Sequence, residues 1–171
     1  MRRVFLFWLL ACSFVQGQTS ICIGEQLSVS SKVLGETRTI SVYLPDSYYD
    51  STLKKTNYPV VYLLDAETNF NYFTTLMGKL AQGIPNVPEM IVIGIENTQR
   101  ERDFGSDSDR FWQFVADELI PLVKKQYRCS DFRILVGHSL SGLAVVSALN
   151  KHTELFNAYI AHDPSLWWGE N

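Results

Sequence analysis

The sequence of residues 132–149 predicts a strand, a tight turn and an apolar helix that follow directly one after another. The run FRILV at 132–136 is typical of a strand buried in a sheet. Gly137 follows, and LAVVSAL at 143–149 has the composition of a helix that is buried on most sides. Ser139 lies between them, on the turn where the strand ends. A fold built around this stretch must expose the Ser139 hydroxyl at the carboxyl end of a buried strand.

The residues around Ser139 follow the G-x-S-x-G pattern of a nucleophile elbow on one side and depart from it on the other. This turn brings backbone atoms close together, so small residues are required two positions before and after the serine. Gly137 meets the requirement, and Ser141 stands where a second glycine is usual, with Gly142 after it. A purely structural glycine–serine turn is the alternative, but strand, turn and helix in this order favour catalysis. The sequence therefore predicts Ser139 as a catalytic nucleophile.

Strands and helices alternate along the rest of the chain. Two apolar–polar alternating runs joined around Gly35 predict an antiparallel hairpin, whereas the later continuous apolar runs suit parallel strands buried on both faces. The predicted strands are 26–31, 37–44, 59–64, 90–95, 132–136 and 156–161, and the predicted helices are 70–80, 109–126 and 143–149. We expect an irregular loop at 96–108, and a kink or break at Pro121. The pattern predicts an α/β fold, with a leading hairpin and a mostly parallel sheet that carries helices on both faces.

Residues 1–17 have the features of a secretory signal peptide. Two arginines form a basic start, and the apolar run at 4–15 is short for a bilayer span. Cleavage after residue 17 leaves a domain at 18–171 with no membrane span. A lipoprotein signal that ends at Cys12 and a retained anchor are the alternatives. We expect a secreted or periplasmic protein.

The overall composition argues against some classes of protein. A net charge of -3 over 171 residues disfavours a nucleic-acid partner, and a hydrophobic share of 46% suits the packed core of one domain. Cys22 and Cys129 remain after removal of the leader, either as a disulfide or as two free thiols. Cysteine and histidine do not occur at the spacing of a metal site, and we expect no metal and no organic cofactor.

Five stretches occur in a characteristic order along the chain. They are PVVYLLDAE at 59–67, IGIENTQRERDF at 93–104, ELIPLVKKQY at 118–127, GHSLSGL at 137–143 and FNAYIAHDPSLWW at 156–168. In this combination the chain resembles the esterase branch of the α/β-hydrolase superfamily, and in particular its enterochelin and siderophore esterase-like group. The branch also contains feruloyl esterases, S-formylglutathione hydrolases and mycolyltransferases. The resemblance implies the α/β-hydrolase fold and hydrolysis of a small-molecule carboxylic ester by a Ser–His–acid triad, through an acyl-enzyme on Ser139.

The resemblance also implies the groups that stabilise the oxyanion. Two backbone N–H donors are needed where negative charge develops on the substrate oxygen. The N–H of Leu140 is one, and the second comes from the loop after the strand at 59–64, at Ala66 or Glu67.

The acid and the histidine follow the serine in the α/β-hydrolase order, and the usual positions of both fall after Asn171. We therefore expect the chain to be an amino-terminal portion of a larger hydrolase, with residues 18–171 an incomplete domain that is inactive alone. Within the chain, His162 is the candidate base because it ends a predicted strand, and Asp163 is the candidate acid.

Other functions stay open at this point. A non-catalytic binding or regulatory protein that retains the hydrolase fold would explain Ser141 and the missing histidine, and an acyltransferase would use the same serine. Arg100, Arg102 and Asp103 suggest either a salt-bridge network or an anion-binding loop. The acyl and alcohol groups of the ester and the oligomeric state do not follow from the sequence.

Overall fold

The computed structural model describes residues 21–83, 86–105 and 108–168, so the predicted leader lies outside the described residues. The strands are β1 (Glu25–Ser31), β2 (Glu36–Tyr43), β3 (Tyr58–Leu64), β4 (Ile91–Ile95), β5 (Cys129–His138) and β6 (Ala158–His162). The α-helices are α1 (Ala66–Ala81), α2 (Arg100–Phe104), α3 (Asp109–Phe114), α4 (Ile120–Gln126) and α5 (Leu140–Lys151). A π-helical turn (Val115–Leu119) joins α3 to α4, and two 3-10 turns (Asp46–Tyr49 and Ser51–Leu53) precede β3.

The six strands form one sheet in the order β1-β2-β4-β3-β5-β6. β1 pairs antiparallel with β2, and β2 pairs antiparallel with β4. The pairs β3–β4, β3–β5 and β5–β6 are parallel. The predicted hairpin and mostly parallel sheet are therefore confirmed. Because β3 and β5 are parallel neighbours, the turns that follow them meet at one edge of the sheet.

Helices cover both faces of the sheet, as predicted. Side chains at alternate positions of a strand point to opposite faces. Tyr62 and Leu64 of β3 contribute to a core that α3, α4 and α5 share, whereas Val61 and Leu63 belong to a second core beneath α1. The central strands are buried on both sides, which explains their continuous apolar sequence.

The expected loop at 96–108 is wrong in part, since α2 lies within it. Asp103 and Phe104 of this short helix are buried. Arg102 donates to Glu36 and to Asp103, and Arg38 of β2 also pairs with Asp103. The salt-bridge network, one of the two interpretations of Arg100, Arg102 and Asp103, is therefore present in the structure.

Two helices differ in detail from the sequence-based expectation. α1 begins at Ala66, four residues before the predicted start, because the N–H groups of Thr68 and Asn69 donate to the Asp65 carbonyl at 3.2 and 3.1 Å. The helical run from Asp109 to Gln126 is present, with the π-helical turn directly before α4. Pro121 has no N–H for the carbonyl four residues earlier, and the wider turn takes up this interruption.

Both cysteines in the described residues are free thiols. Cys22 is exposed and Cys129 is half-buried. Burial raises the pKa of the Cys129 thiol to about 11, which keeps it protonated at neutral pH. Along residues 21–83, 86–105 and 108–168, no helix has both the length and the apolar character that a bilayer crossing requires.

Candidate active site

Ser139 occupies the turn between β5 and α5 in a strained conformation. Its φ of 59° and ψ of -119° lie outside the regions that L-residues favour. Such strain persists only where the surrounding structure imposes it, and it is concentrated at functional sites. A Cβ on Gly137 would lie 2.3 Å from the Ser141 carbonyl oxygen, so glycine is required at this position. The geometry is that of the turn predicted from the sequence.

Ser141, which replaces the second glycine of the pattern, is fully buried and bridges the turn with its side chain. Its Oγ accepts a hydrogen bond from the His138 N–H at 2.9 Å and donates to the His138 carbonyl at 2.8 Å. The departure from the G-x-S-x-G pattern therefore satisfies two backbone groups and does not disturb the turn.

The loop after β6 lies against the turn and contacts Ser139 at three points. The Ser139 N–H donates to the His162 carbonyl at 3.1 Å, and the Ser165 N–H donates to the Ser139 carbonyl at 3.1 Å. The Oγ atoms of Ser139 and Ser165 are 3.1 Å apart. Sequence reasoning did not identify Ser165 as a site residue, although it lies in the DPSLWW stretch that carries the family resemblance.

The two candidate oxyanion donors lie at the first residues of helices. Leu140 begins α5 and Ala66 begins α1, and both are buried. The first N–H groups of a helix have no acceptor within the helix, and the helix dipole favours negative charge there. Since β3 and β5 are neighbours, both helix starts open at the same edge of the sheet. This arrangement can accommodate an oxyanion beside Ser139.

Asp65 anchors the turn between β3 and Ala66. Its φ is 55°, and Arg100 donates to both of its carboxylate oxygens at 2.8 and 2.9 Å. The Asn97 amide nitrogen donates to Asp65 at 2.5 Å and to Glu67 at 2.8 Å. Burial raises the pKa of Asp65, but the surrounding hydrogen bonds, those of Arg100 foremost, and the charge of Arg100 together outweigh it and hold the pKa below its usual range. The side chains of Asp65 and Glu67, which flank Ala66, are thus both hydrogen-bonded to the segment that follows β4.

The histidines near Ser139 face one another. His138 and His162 pair in register on β5 and β6, and their ring centroids are 5.0 Å apart. Both side chains are exposed. In the described part of the chain, neither ring forms a hydrogen bond with Ser139. Asp163 is exposed, with a φ of 42°. The structure therefore brings His162 and Asp163 next to the turn through the backbone of the β6 loop.

An apolar groove of about 610 Å³ runs from this edge along α1 and the adjacent sheet face. Its walls come from α1, β3, β5 and β6, and include Tyr72, Phe73, Leu76, Met77, Leu63, Val136 and Ile160. His138 and His162 line it at the end near Ser139. Across the described residues, His, Cys, Asp and Glu side chains form no group of three or more suited to a metal ion.

The family model described as "Putative esterase" matches residues 31–171. The chain belongs to this esterase family. The crystal structure of an IroE-like serine hydrolase from Shewanella oneidensis superposes with a TM-score of 0.80 and 36% sequence identity, covering 85% of this chain and 52% of that one. The ferri-bacillibactin esterase BesA of Bacillus subtilis is 28% identical, covering 79% of this chain and 56% of its own length.

A further structure shows the same fold at lower sequence similarity. The siderophore hydrolase EstB from Aspergillus nidulans gives a TM-score of 0.79 at 23% identity, covering 90% of this chain and 60% of that one. The chain spans about half the length of the curated relatives that it matches. The α/β-hydrolase fold and the esterase family expected from the sequence are confirmed.

Proposed function

We propose that the protein hydrolyses a carboxylic ester of a small molecule, with Ser139 as the nucleophile. The observation that carries the proposal is the strained turn at Ser139, with the first residues of α5 and α1 at the same sheet edge. Membership of the esterase family supports it.

The chemistry follows from the groups at this edge. The Ser139 Oγ attacks the ester carbonyl carbon, and its proton passes to a general base. The carbonyl oxygen becomes an oxyanion, which the N–H groups of Leu140 and Ala66 stabilise. The base then gives this proton to the departing alcohol, which leaves an acyl-enzyme on Ser139, and water releases the acid in the same way.

We propose that the base and its acid partner come from residues after Asn171. Two observations support this. The matched region covers only about half of the length of the relatives, and in the described residues the rings of His138 and His162 contact each other and form no hydrogen bond with Ser139. His162 is the alternative base, with Asp163 as its acid partner.

The proposal also includes a substrate class and a location for the protein. Because one relative is named for ferri-bacillibactin, a siderophore ester is the first substrate class to assay. The basic and apolar composition of residues 1–17 supports export to the periplasm or the outside of the cell.

A fluorophosphonate probe tests the nucleophile, because it reacts covalently with activated serines. The protein expressed from its full reading frame is labelled and assayed on p-nitrophenyl acetate. We expect one label per chain, and we expect Ser139→Ala to abolish both labelling and hydrolysis. Ser51→Ala is the matched control, since Ser51 is exposed in a 3-10 turn at the far end of β3. A Ser139→Ala variant that hydrolyses the ester at the parent rate would overturn the proposal.

The same assay separates the two candidate bases. We expect His162→Ala to keep most of its labelling and hydrolysis if the base lies after residue 171. Loss of both in a folded His162→Ala variant, as severe as in Ser139→Ala, would instead assign the base to His162.

A further inference from the structure

Ser165 lies beside the proposed nucleophile and is itself buried, with 6% of its surface exposed. Its Oγ is 3.1 Å from the Ser139 Oγ. In the described part of the chain, this is the one hydrogen bond found for either hydroxyl. A buried hydroxyl is costly when it is unpaired, so this contact fixes the orientation of both side chains.

The backbone around Ser165 is held firmly, so its hydroxyl has a defined position. Besides the bond from the Ser165 N–H to Ser139, the Trp168 N–H donates to the Ser165 carbonyl at 3.0 Å. On the other side of the loop, Gly142 of α5 approaches so closely that a Cβ there would lie 3.1 Å from the Pro164 Cα and 3.0 Å from the His162 carbonyl oxygen. The loop is therefore packed directly against the turn.

A serine hydroxyl has one proton to donate and two lone pairs. If Ser165 donates to Ser139, one lone pair of the Ser139 Oγ is engaged, its proton is free for the base, and the second lone pair is free to attack. The reverse direction, with Ser139 donating to Ser165, would turn the Ser139 proton away from the base. Only the first arrangement is compatible with proton removal during attack.

We propose that Ser165 is a positioning residue that donates its hydroxyl hydrogen bond to the Ser139 Oγ and holds it in the attacking orientation. This inference rests on the proposed role of Ser139 as nucleophile. As the Oγ forms its bond to the carbonyl carbon, the Ser139 proton goes to the base and the Ser165 proton stays on Ser165. The hydrogen bond holds the Oγ in place before it attacks, so less orientational freedom has to be lost on the way to the transition state.

The test uses the full-length protein with Ser165→Ala, Ser165→Thr and Ser165→Cys. We expect Ser165→Ala to lower kcat and the rate constant of fluorophosphonate labelling by about 10-fold each, with KM little changed, since losing one orienting hydrogen bond costs about one factor of ten. Thr keeps the hydroxyl and should restore most of the rate. Cys matches serine in size but is a weak donor, so it should resemble Ala.

Ser41→Ala is the matched control, because Ser41 is about as buried as Ser165 but lies on β2, which β4 and β3 separate from β5, and it donates to Glu96. It should leave both rate constants at the parent value. A folded Ser165→Ala or Ser165→Cys variant that reacts at the parent rate, while Ser139→Ala is inert, would overturn the role of Ser165 alone. Parent protein that does not label, or a Ser139→Ala variant that still does, would overturn the proposed nucleophile and this inference with it.

Discussion

Arg100 donates a hydrogen bond to each carboxylate oxygen of Asp65, with its Nε 2.8 Å from Oδ1 and its Nη2 2.9 Å from Oδ2. Asp65 is buried and has a left-handed backbone, a conformation that is unfavourable for most non-glycine residues. The planar guanidinium offsets this strain by binding the carboxylate at two points. Because Ala66 follows directly, the ion pair also sets the direction of the proposed oxyanion donor.

Replacing Arg100 with lysine should hold the backbone N–H of Ala66 less firmly in place. A lysine ammonium is a point charge and cannot reproduce the two parallel hydrogen bonds. We expect Arg100→Lys to lower kcat for ester hydrolysis by roughly 10-fold, part of the ~10²–10³ that loss of an oxyanion donor costs. Steady-state kinetics of the full-length protein measures this. Arg110→Lys is the control, since Arg110 is exposed and donates to a backbone carbonyl of the β1–β2 turn. Equal kcat values for the two variants would contradict the prediction.

Two glycine-to-alanine changes should have opposite effects on stability. At Gly137 a Cβ would lie 2.3 Å from a backbone oxygen, and we expect Gly137→Ala to lower the free energy of unfolding by about 1–3 kcal/mol or more. At Gly78, within α1, the nearest atom to a Cβ is the Tyr43 hydroxyl at 3.7 Å. There alanine should raise the free energy of unfolding by roughly 0.5–1 kcal/mol, because it favours the helix. Urea denaturation measures both, and destabilisation by Gly78→Ala would refute the second half.

The buried pair of Arg38 and Asp103 should be sensitive to removal of either partner. Arg38 is fully buried, and its guanidinium lies 5.7 Å from the ring centroid of Phe111. We expect Asp103→Ala to lower the free energy of unfolding by about 3–5 kcal/mol, because it removes the fully buried partner of Arg38 and leaves this buried charge with only the partly exposed Glu36. Asp131→Ala is the comparison, since the Asp131 side chain is 92% exposed where it pairs with Lys124, and it should have no measurable effect. Similar denaturation midpoints for the two variants would argue against a buried ionic contact.

Glu36 should contribute to stability in a defined range of acidic pH. The hydrogen bonds from Arg102 lower the pKa of Glu36 from 4.5 to about 2, with the charge of Arg38 adding to the effect. A carboxyl whose pKa is lower in the folded state stabilises the fold above the unfolded pKa, and this stabilisation is lost as the pH falls through the folded pKa. We therefore expect a loss of stability from about pH 4.5 to about pH 2 that is smaller in Glu36→Gln.

Denaturation midpoints measured at a series of pH values give this comparison. Glu101→Gln is the matched control, because Glu101 is exposed and forms no ion pair among the residues described. Its pH profile should follow that of the parent protein. Superimposable profiles for the parent and Glu36→Gln would show that this carboxyl does not carry the effect.

The central sheet could be predicted because the residues of each strand form a recognisable pattern within that strand. Continuous apolar runs mark β3, β4 and β5, and the alternating runs mark the hairpin of β1 and β2. α2 could not be predicted in this way. Within it, Arg102 is half-buried and Asp103 is buried only because Arg38 and Glu36, far away in the sequence, supply their partners.

In the candidate site, too, some residues could be predicted from the local sequence and others could not. Ser139, Leu140 and Ala66 follow from the local strand–turn–helix pattern and the family resemblance, and the structure places their turns at one edge. The contacts of Ser165 and Arg100 depend on how β6 and α2 pack against these turns. No periodicity in the sequence encodes such contacts.

The side chain of Ser141 has a consequence for how related sequences are recognised. Its Oγ closes on the N–H and the carbonyl of His138, so a residue with a short hydroxyl side chain serves the turn where the usual motif has no side chain at all. A search pattern that demands glycine there would pass over this chain. The physical requirement is a side chain small enough for the turn. Serine meets it and adds two hydrogen bonds to the backbone of the turn.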